Sequence, residues 1–245
     1  MGETASISTS GVGPVATRLF ELADGRDSFV VGLTGSVASG KSTLATSLAG
    51  RLSDRLTVET VSTDGFLHPN TVLESRGLMM RKGFPESYDR ERMAEALSDL
   101  RFGSADFPGY SHVSYDVDPA LTRRIERPDV LILEGLGFTP PTAGTRAPGE
   151  PDVLVFLEAE LADIEAWFRT RFMQLWHAAA DDQESFYARF RDMSEAEAEA
   201  FAMQVWREIN LPNLTENILP LREQADIVLA KNARHSVRIV EDRLG

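Results

Sequence analysis

Short apolar runs alternate with longer segments of helical spacing along most of this chain. Strand-like runs cover residues 28–33, 56–62, 129–135, 152–157 and 226–230. Apolar positions three or four residues apart predict helices over residues 15–23, 41–51, 89–101, 161–180, 184–191 and 194–208, and a short helix after the last strand. This alternation predicts an α/β fold with a mostly parallel sheet flanked by helices on both faces.

The remaining segments lack a clear period. We predict irregular structure at residues 67–87, 136–150 and 210–220, and a loop dense in tyrosine and histidine at residues 107–117. The first thirteen residues are small and polar, which predicts a flexible leader over residues 1–13 before a single domain over residues 14–245.

Residues 35–42 carry the full G-x-x-x-x-G-K-S pattern between a predicted strand and a predicted helix. This arrangement indicates a P-loop NTPase, in which backbone N–H groups and the helix N-terminus bind nucleotide phosphates. The lysine supplies charge for the β- and γ-phosphates of ATP, and the serine hydroxyl suits Mg2+. The predicted nucleotide-binding segment is Gly35, Ser36, Val37, Ala38, Ser39, Gly40, Lys41, Ser42 and Thr43.

Acidic side chains end two of the predicted strands. Asp64 follows the second strand, and Glu134 closes the all-apolar run of residues 130–133, as expected of a Walker B segment. Because α/β sheets bind ligands at the carboxyl ends of their strands, both acids are predicted to lie beside the P-loop.

Composition narrows the function classes. A net charge of -13 and a pI of about 4.8 give no basic field for nucleic acid or an anionic membrane surface. The chain has no cysteine, which excludes disulfides, thiolate zinc sites and cysteine nucleophiles. No apolar run approaches the length of a membrane span, so we expect a cytoplasmic enzyme.

The most specific signal is STDGFLHPN at residues 62–70, followed by RGLMMRKGFPESYD at residues 76–89. Together these segments resemble the bacterial type I pantothenate kinases. The resemblance continues through YSHVSYDV at 110–117, LILEG at 131–135, RF at 171–172, EINLPNL at 208–214, NILP at 217–220 and KNARH at 231–235. It spans the chain from residue 29 to the C-terminus.

The resemblance implies ATP-dependent phosphorylation of the primary hydroxyl of pantothenate, the first committed step toward coenzyme A. Asp64 would match the carboxylate that orients or deprotonates this hydroxyl, and Lys41, Lys82 and Arg171 the cations around the transferring phosphoryl group. Ser42 and Glu134 would serve Mg2+. The residues that would match the family's contacts to pantothenate are Tyr110, His112, Tyr115 and Asn210. Phe168 would lie at a further substrate-binding position, and His235 would lie near the adenine.

Three positions depart from that family. Phe168 stands where a tyrosine usually helps to hold the substrate, Thr46 replaces an arginine that meets coenzyme A phosphates in some members, and Leu175 replaces an aromatic residue of the acyl-end pocket. We therefore expect feedback inhibition by coenzyme A to be weak or lost. The chain is short for that family before the P-loop and between Phe138 and Pro151, and a homodimer is one of the assemblies that this leaves open.

Two other interpretations of the sequence compete with that of a pantothenate kinase. A related P-loop kinase, similar to uridine kinases and phosphoribulokinases, would phosphorylate another hydroxylated acceptor such as a nucleoside, sugar or hydroxy acid. A regulatory NTPase would need no acceptor pocket, and the polar groups at Asp64, Tyr110, His112 and Asn210 argue against it.

Overall fold

The computed structural model describes residues 9–180, 182 and 184–244. Within them the strands are β1 (Phe29–Gly35), β2 (Val58–Ser62), β3 (Ser104–Ser111), β4 (Asp116–Glu126), β5 (Val130–Glu134), β6 (Val153–Ala159), β7 (Ile227–Lys231) and β8 (Val237–Asp242). Six of them form one sheet in the order β2-β5-β1-β6-β7-β8, while β3 and β4 form a separate hairpin. Every neighbouring pair in the large sheet is parallel except β7 and β8. The predicted α/β fold is thereby confirmed.

Helices cover both faces of this sheet. The α-helices are α1 (Thr9–Ala23), α2 (Lys41–Leu52), α3 (Asn70–Ser75), α4 (Arg90–Phe102), α5 (Leu161–Ala178), α6 (Glu195–Val205) and α7 (Leu211–Asn213). Tighter 3-10 turns occupy Thr63–Phe66, Met79–Arg81, Pro85–Ser87, Phe186–Phe190 and Leu219–Gln224, and wider π-helical turns occupy Trp206–Asn210 and Leu214–Ile218.

The period-two pattern of the buried strands divides the core into two layers. Val30 of β1 and Leu131 of β5 pack on the face that carries α4, α5 and the hairpin, whereas Val31 and Ile132 pack against α1 and α2 on the other face. Strands covered on both sides must be apolar at every position, which explains why β5 is buried throughout.

Residues 107–117 were expected to form a loop, and this prediction is wrong, because most of them belong to the β3–β4 hairpin. Pro108 and Gly109 interrupt the ladder at an irregularity, which hides the strand period in the sequence. A Cβ atom on Gly109 would lie 2.4 Å from the carbonyl oxygen of Leu121, so the close strand approach there requires glycine. Phe107 and Ile125 bury the inner face of the hairpin.

Two further predictions fail near the C-terminus. Residues 210–220 are helical, because Pro212 and Pro220 each occupy the first turn of a helical segment, where the missing N–H has no partner to lose. The last element is strand β8 and not a helix. Because β8 is an edge strand that pairs with β7 on one side only, it can carry exposed charged residues.

Helix α1 begins at Thr9, well before the predicted start at residue 15. Val12 is buried with Val15 and Leu19, and this stripe continues the predicted helical spacing toward the N-terminus. Gly11, Gly13 and Pro14 are poor helix formers that conceal the extension in the sequence. The expected leader is thus helical from Thr9, and residues 1–8 lie outside the described range.

Candidate functional site

The carboxyl ends of the parallel strands meet at one edge of the sheet. Ser62 of β2 and Leu33 of β1 both lie in register with Glu134, the last residue of β5. Lys231 ends β7 in register with Ala159 of β6. The strand order therefore brings the P-loop, both predicted acids and the end of β7 to the same edge, where α/β sheets hold their ligands.

The P-loop closes around its own lysine. Gly40 adopts a left-handed conformation with φ of 89° directly before α2, which turns the loop into the helix. The Lys41 ammonium is buried and donates to the carbonyl oxygens of Gly35 at 3.1 Å and Ser36 at 2.8 Å. Burial lowers the pKa of Lys41, and the carboxylates of Glu134 and Asp64 oppose that shift.

A hydroxyl and a carboxylate lie together beside this lysine. The Ser42 hydroxyl donates to Oε1 of Glu134 at 2.8 Å, and burial raises the pKa of Glu134. These are hard oxygen donors of the kind that Mg2+ prefers. Within the described ranges no three His, Cys, Asp or Glu side chains form a metal-binding group. The donor set fits a cation that also takes phosphate and water oxygens.

Asp64 lies in the 3-10 turn that follows β2. Its backbone N–H donates to the Ser62 hydroxyl at 3.2 Å, which caps the turn. The buried Tyr88 hydroxyl donates to Oδ1 of Asp64 at 3.5 Å, and the pKa of Tyr88 is raised well above its ordinary value, by burial first and then by the charge of Asp64. Tyr88 thus stays protonated and can orient the carboxylate.

Lys82 reaches the site from the segment after α3. Its ammonium donates to Oδ1 of Asn70 at 2.7 Å and to the carbonyl oxygen of Tyr115. The ammonium also lies 5.0 Å from the ring centre of Tyr110 and 4.7 Å from that of Tyr115. Burial lowers the pKa of Lys82 to about 8, against the opposing charges of Asp116 and Asp64.

The hairpin carries three of the predicted acceptor residues. Tyr110 packs edge-on against His112 at 5.2 Å and Tyr115 at 5.9 Å between ring centres. Tyr115 has a φ of 57°, and its ring stacks on Phe186 at 4.3 Å. His112 is exposed and, with Tyr110, lines a cavity of about 140 Å³ that Ser62 also borders. The structure therefore brings these residues to the strand end that precedes Asp64.

Helix α5 presents two further predicted residues. Phe168 is half-buried, and its ring centre lies 5.6 Å from that of the fully buried Trp206. Arg171 is exposed and makes no hydrogen bond or ion pair within the described ranges, but its charge lowers the pKa values of Lys41 and Glu134. Arg171 therefore lies near enough to Lys41 and Glu134 for its charge to act on both.

Asn210 is less closely tied to the others. It is half-buried at the end of the π-helical turn Trp206–Asn210, and no side-chain hydrogen bond joins it to another residue that the structure describes. A neighbouring amide is better anchored: the Asn213 side chain donates to the carbonyl oxygen of Gly83 at 2.8 Å, directly after Lys82. The sequence analysis did not assign Asn213 a role.

Lys231 also lies at this site, although no role was predicted for it from the sequence. Its buried ammonium donates to the carbonyl oxygen of Ser39 in the P-loop at 2.7 Å and lies 4.3 Å from the Trp167 ring. Burial lowers the pKa of Lys231 to about 8. A signal existed, because the chain has only three lysines among 25 basic residues, and all three lie at this edge of the sheet.

His235 lies beside Lys231. The His235 ring is 5.0 Å from that of Trp167, its Nδ1 is buried with no hydrogen-bond partner in the described residues, and its φ is 60°. Burial, and after it the charge of Lys231, lowers the pKa of His235. A neutral imidazole with an unpaired nitrogen is suited to a planar polar ligand such as a nucleobase.

Comparison with protein families gives one family match. The profile of the phosphoribulokinase / uridine kinase family matches residues 30–167. Among curated relatives, the pantothenate kinase of Sorangium cellulosum is 47% identical over 89% of this chain and 74% of its own length. The pantothenate kinases of Leifsonia xyli and Klebsiella pneumoniae are 44% and 41% identical over 86% and 88% of this chain, and over 68% and 72% of their own lengths.

Solved structures show the same architecture. A candidate fructose transport system kinase from Silicibacter sp. TM1040 matches with a TM-score of 0.65 at 25% identity, over 87% of this chain and 95% of that chain. D-glycerate 3-kinase from Cryptococcus neoformans var. grubii matches with a TM-score of 0.55 at 14% identity, over 98% of this chain and 99% of that chain. No helix in the described residues is long and apolar enough to cross a membrane.

Proposed function

The chain belongs to the pantothenate kinase family of P-loop kinases, and on that premise we propose that it transfers the γ-phosphoryl group of ATP to the primary hydroxyl of pantothenate. The observation that carries this proposal is the meeting of Asp64 with a buried P-loop lysine at one sheet edge, in a chain 41–47% identical to enzymes named pantothenate kinase. The product would enter the synthesis of coenzyme A.

In the proposed reaction, the acceptor hydroxyl oxygen forms a bond to the γ-phosphorus while the bond to the β,γ-bridging oxygen breaks. The hydroxyl proton passes to Asp64, and ADP leaves with the bridging oxygen. Lys41, Lys82 and Arg171 balance the negative charge on the phosphoryl oxygens. Such a transfer depends mainly on alignment and charge neutralisation, which one carboxylate and several fixed cations can supply.

Ser42 and Glu134 would hold the Mg2+ that accompanies ATP, the carboxylate directly or through water. The cation would supply positive charge at the β- and γ-phosphate oxygens. In the structure, the Ser42 hydroxyl is already turned toward Glu134 at 2.8 Å. Burial raises the pKa of Glu134 and the charge of Lys41 opposes that shift, and a bound cation would oppose it further.

On the nucleotide side, the P-loop amides of residues 35–43 would bind the phosphates, and His235 would contact the adenine. Lys231 extends this group, because its ammonium already holds the Ser39 carbonyl oxygen. Burial lowers its pKa, and among the residues that the structure describes no carboxylate forms an ion pair with it. A buried cation without a counter-ion favours an anionic ligand, here the nucleotide phosphates.

On the acceptor side, Tyr110, His112, Tyr115 and Asn210 would hold the hydroxyls, amide and carboxylate of pantothenate. The rings of Tyr110 and Tyr115 lie within 5.0 Å of the Lys82 ammonium, which supports this assignment on the hairpin. Phe168 would contribute a ring surface without a hydroxyl, packed against Trp206.

We further propose that coenzyme A inhibits this enzyme weakly. The exposed Thr46 hydroxyl donates to the carbonyl oxygen of Ser42 at 2.9 Å and offers no charge for a phosphate group. Leu175, which is 36% exposed on α5, offers no ring for the acyl end.

A homodimer is the proposed assembly, and sedimentation equilibrium would test it.

A second candidate function is supported by Phe168. A pocket that lacks one hydrogen-bonding hydroxyl suits an acceptor with one polar group fewer, or a different one, than pantothenate. Such an enzyme would retain the transfer chemistry at Asp64 and act on a different hydroxylated acceptor.

The test is an ADP-release assay with Mg-ATP and a panel of pantothenate, uridine, ribulose 5-phosphate, glycerate and simple sugars, with the product mass determined for each hit. We expect turnover with pantothenate and a product heavier by one phosphoryl group. Turnover restricted to another acceptor would contradict the proposed substrate and support the second candidate. ATP hydrolysis without any phosphorylated acceptor would contradict both.

A further inference from the structure

Asn70 makes more contacts to the candidate site than its sequence position suggests. It opens helix α3, and its backbone N–H donates to Oδ1 of Asp116 at 3.0 Å. Its side-chain Nδ2 donates to the carbonyl oxygen of Tyr115 at 3.2 Å, and its Oδ1 accepts from the ammonium of Lys82 at 2.7 Å. Both ends of the amide are therefore engaged, one with the hairpin and one with the lysine.

The backbone held by this amide is strained. Tyr115 has a φ of 57°, a left-handed conformation that a bulky residue adopts only where its surroundings impose it. Its carbonyl oxygen accepts from both Asn70 and Lys82, and its ring stacks on Phe186. The three-way contact of Asn70, Lys82 and the Tyr115 carbonyl thus fixes the hairpin tip and the ammonium together.

The groups that face the Lys82 ammonium give it little freedom. Asp116 and Asp64 act on it as negative charges from the hairpin and from the turn after β2, while the rings of Tyr110 and Tyr115 lie within 5.0 Å. Its hydrogen bonds go to Asn70 and to the Tyr115 carbonyl, both of which are neutral acceptors. Asn70 therefore orients the Lys82 ammonium through a hydrogen bond, whereas the two carboxylates act on it through their charge at longer range.

We propose that Asn70 is a positioning residue that holds the Lys82 ammonium, charged and aimed at the transferring phosphoryl group, and locks it to the Tyr115 backbone in the acceptor pocket. This inference rests on the phosphoryl-transfer function proposed above. A neutral amide is suited to this task, because it stabilises the ammonium without an ion pair that would compete with phosphate oxygens. An aspartate at this position would hold the lysine back.

NMR spectra of the protein labelled with 13C in its lysines can detect the contact between Asn70 and Lys82, since the chain contains only three lysines. The Lys82 13Cε signal, assigned by its absence from Lys82→Arg, is followed against pH in the wild type, Asn70→Ala, Asn70→Asp and Ser75→Ala. A hydrogen bond to the charged form raises a lysine pKa. We therefore expect the Lys82 midpoint to fall below its wild-type value in Asn70→Ala and to rise in Asn70→Asp.

Ser75→Ala is the matched control. Its hydroxyl donates to the carbonyl oxygen of Val72 at 2.8 Å in the same helix and has no contact with Lys82. The Lys82 titration and turnover of this variant should equal those of the wild type. A shift in Ser75→Ala as large as in Asn70→Ala would mean that helix α3 matters only as a support, and would overturn the proposal.

Kinetics complete the test. Asn70→Ala should lower kcat by about 10- to 100-fold through misplacement of the ammonium, leave the KM for ATP within about twofold, and move the alkaline fall of kcat to lower pH. Asn70→Asp should also lower kcat but move that fall to higher pH. Unchanged Lys82 midpoints in both variants would overturn the inference. If the wild type does not phosphorylate pantothenate, the proposed substrate is wrong, whereas the 13C titration still decides the role of Asn70.

Discussion

The two sides of the candidate site are built in different ways. On the nucleotide side, Ser39, Lys41, Glu134 and Lys231 are all buried, and the two ammonium groups bond to P-loop carbonyl oxygens. The acceptor side uses half-buried or exposed residues on the hairpin, on α5 and on the π-helical turn. The nucleotide side is therefore buried and held by hydrogen bonds within the P-loop, whereas the acceptor side is more exposed.

This difference follows from what each side must recognise. Phosphate is the same in every nucleotide, so the P-loop amides and the buried ammonium groups that would recognise it can be held in fixed positions. An organic acceptor varies between related kinases, and its contacts come from elements that are easier to change without disturbing the sheet. We expect substitutions on the nucleotide side to change ATP binding, and substitutions on the acceptor side to change specificity. Asp64 lies at the boundary and should affect neither affinity strongly.

The largest effect is expected from Asp64→Asn. The amide keeps the size of the side chain but cannot take the acceptor proton, so kcat should fall by about 10³-fold, with ATP affinity retained. Steady-state kinetics and calorimetric ATP titration measure the two quantities. Asp106→Asn is the control, because this exposed carboxylate pairs with Arg124 at 3.2 Å on the hairpin. Full activity in Asp64→Asn would remove Asp64 from the mechanism.

Lys231→Met should weaken ATP binding and leave the acceptor KM unchanged. Loss of the proposed hydrogen bond from this ammonium to a nucleotide phosphate would cost about 1.5–3 kcal/mol, which corresponds to a rise of ~10- to 150-fold in the ATP dissociation constant. Arg238→Met removes an exposed cation from neighbouring strand β8 and serves as the control. Equal losses of affinity in the two variants would indicate only a general effect of charge.

The pH dependence should separate the two sides. Burial brings the pKa values of Lys82 and Lys231 to about 8, so each ammonium loses its charge as the pH rises through that value. We expect kcat to fall above about pH 8 as Lys82 deprotonates, and the KM for ATP to rise as Lys231 deprotonates. Lys82→Arg, whose guanidinium stays charged, should abolish the fall in kcat but not the rise in KM. The same alkaline fall of kcat in Lys82→Arg would argue against Lys82.

The two sides of the site also differ in how well their structure can be predicted from the sequence. The five parallel strands β1, β2, β5, β6 and β7 and the P-loop were predicted correctly, because a buried parallel strand is apolar throughout and G-x-x-x-x-G-K-S has a fixed local geometry. Family membership followed from ordered motifs. The roles of Asp64, Lys82, Arg171 and the acceptor residues stay predictions, although the structure places most of them at one sheet edge.

Two of the elements that were predicted wrongly belong to the acceptor side. The hairpin was hidden by Pro108 and Gly109, and the helical course of residues 210–220 by two prolines that sit where a helix tolerates them. Asn70 and Lys231 were missed for a different reason. Their contacts join residues 12 to 192 positions apart, and no local pattern carries such information.

The smallest predicted effect tests the acceptor side most directly. Phe168→Tyr would add a hydroxyl where the related enzymes usually carry one, on a ring whose centre is 5.6 Å from that of Trp206. One added hydrogen bond is worth about 1 kcal/mol, so the KM for pantothenate should fall ~5-fold while the KM for ATP stays constant. Phe102→Tyr, at a ring that is 85% exposed, should change neither. An unchanged or higher KM for pantothenate would mean that position 168 does not meet this acceptor, and would favour a different hydroxylated substrate for the same phosphate site.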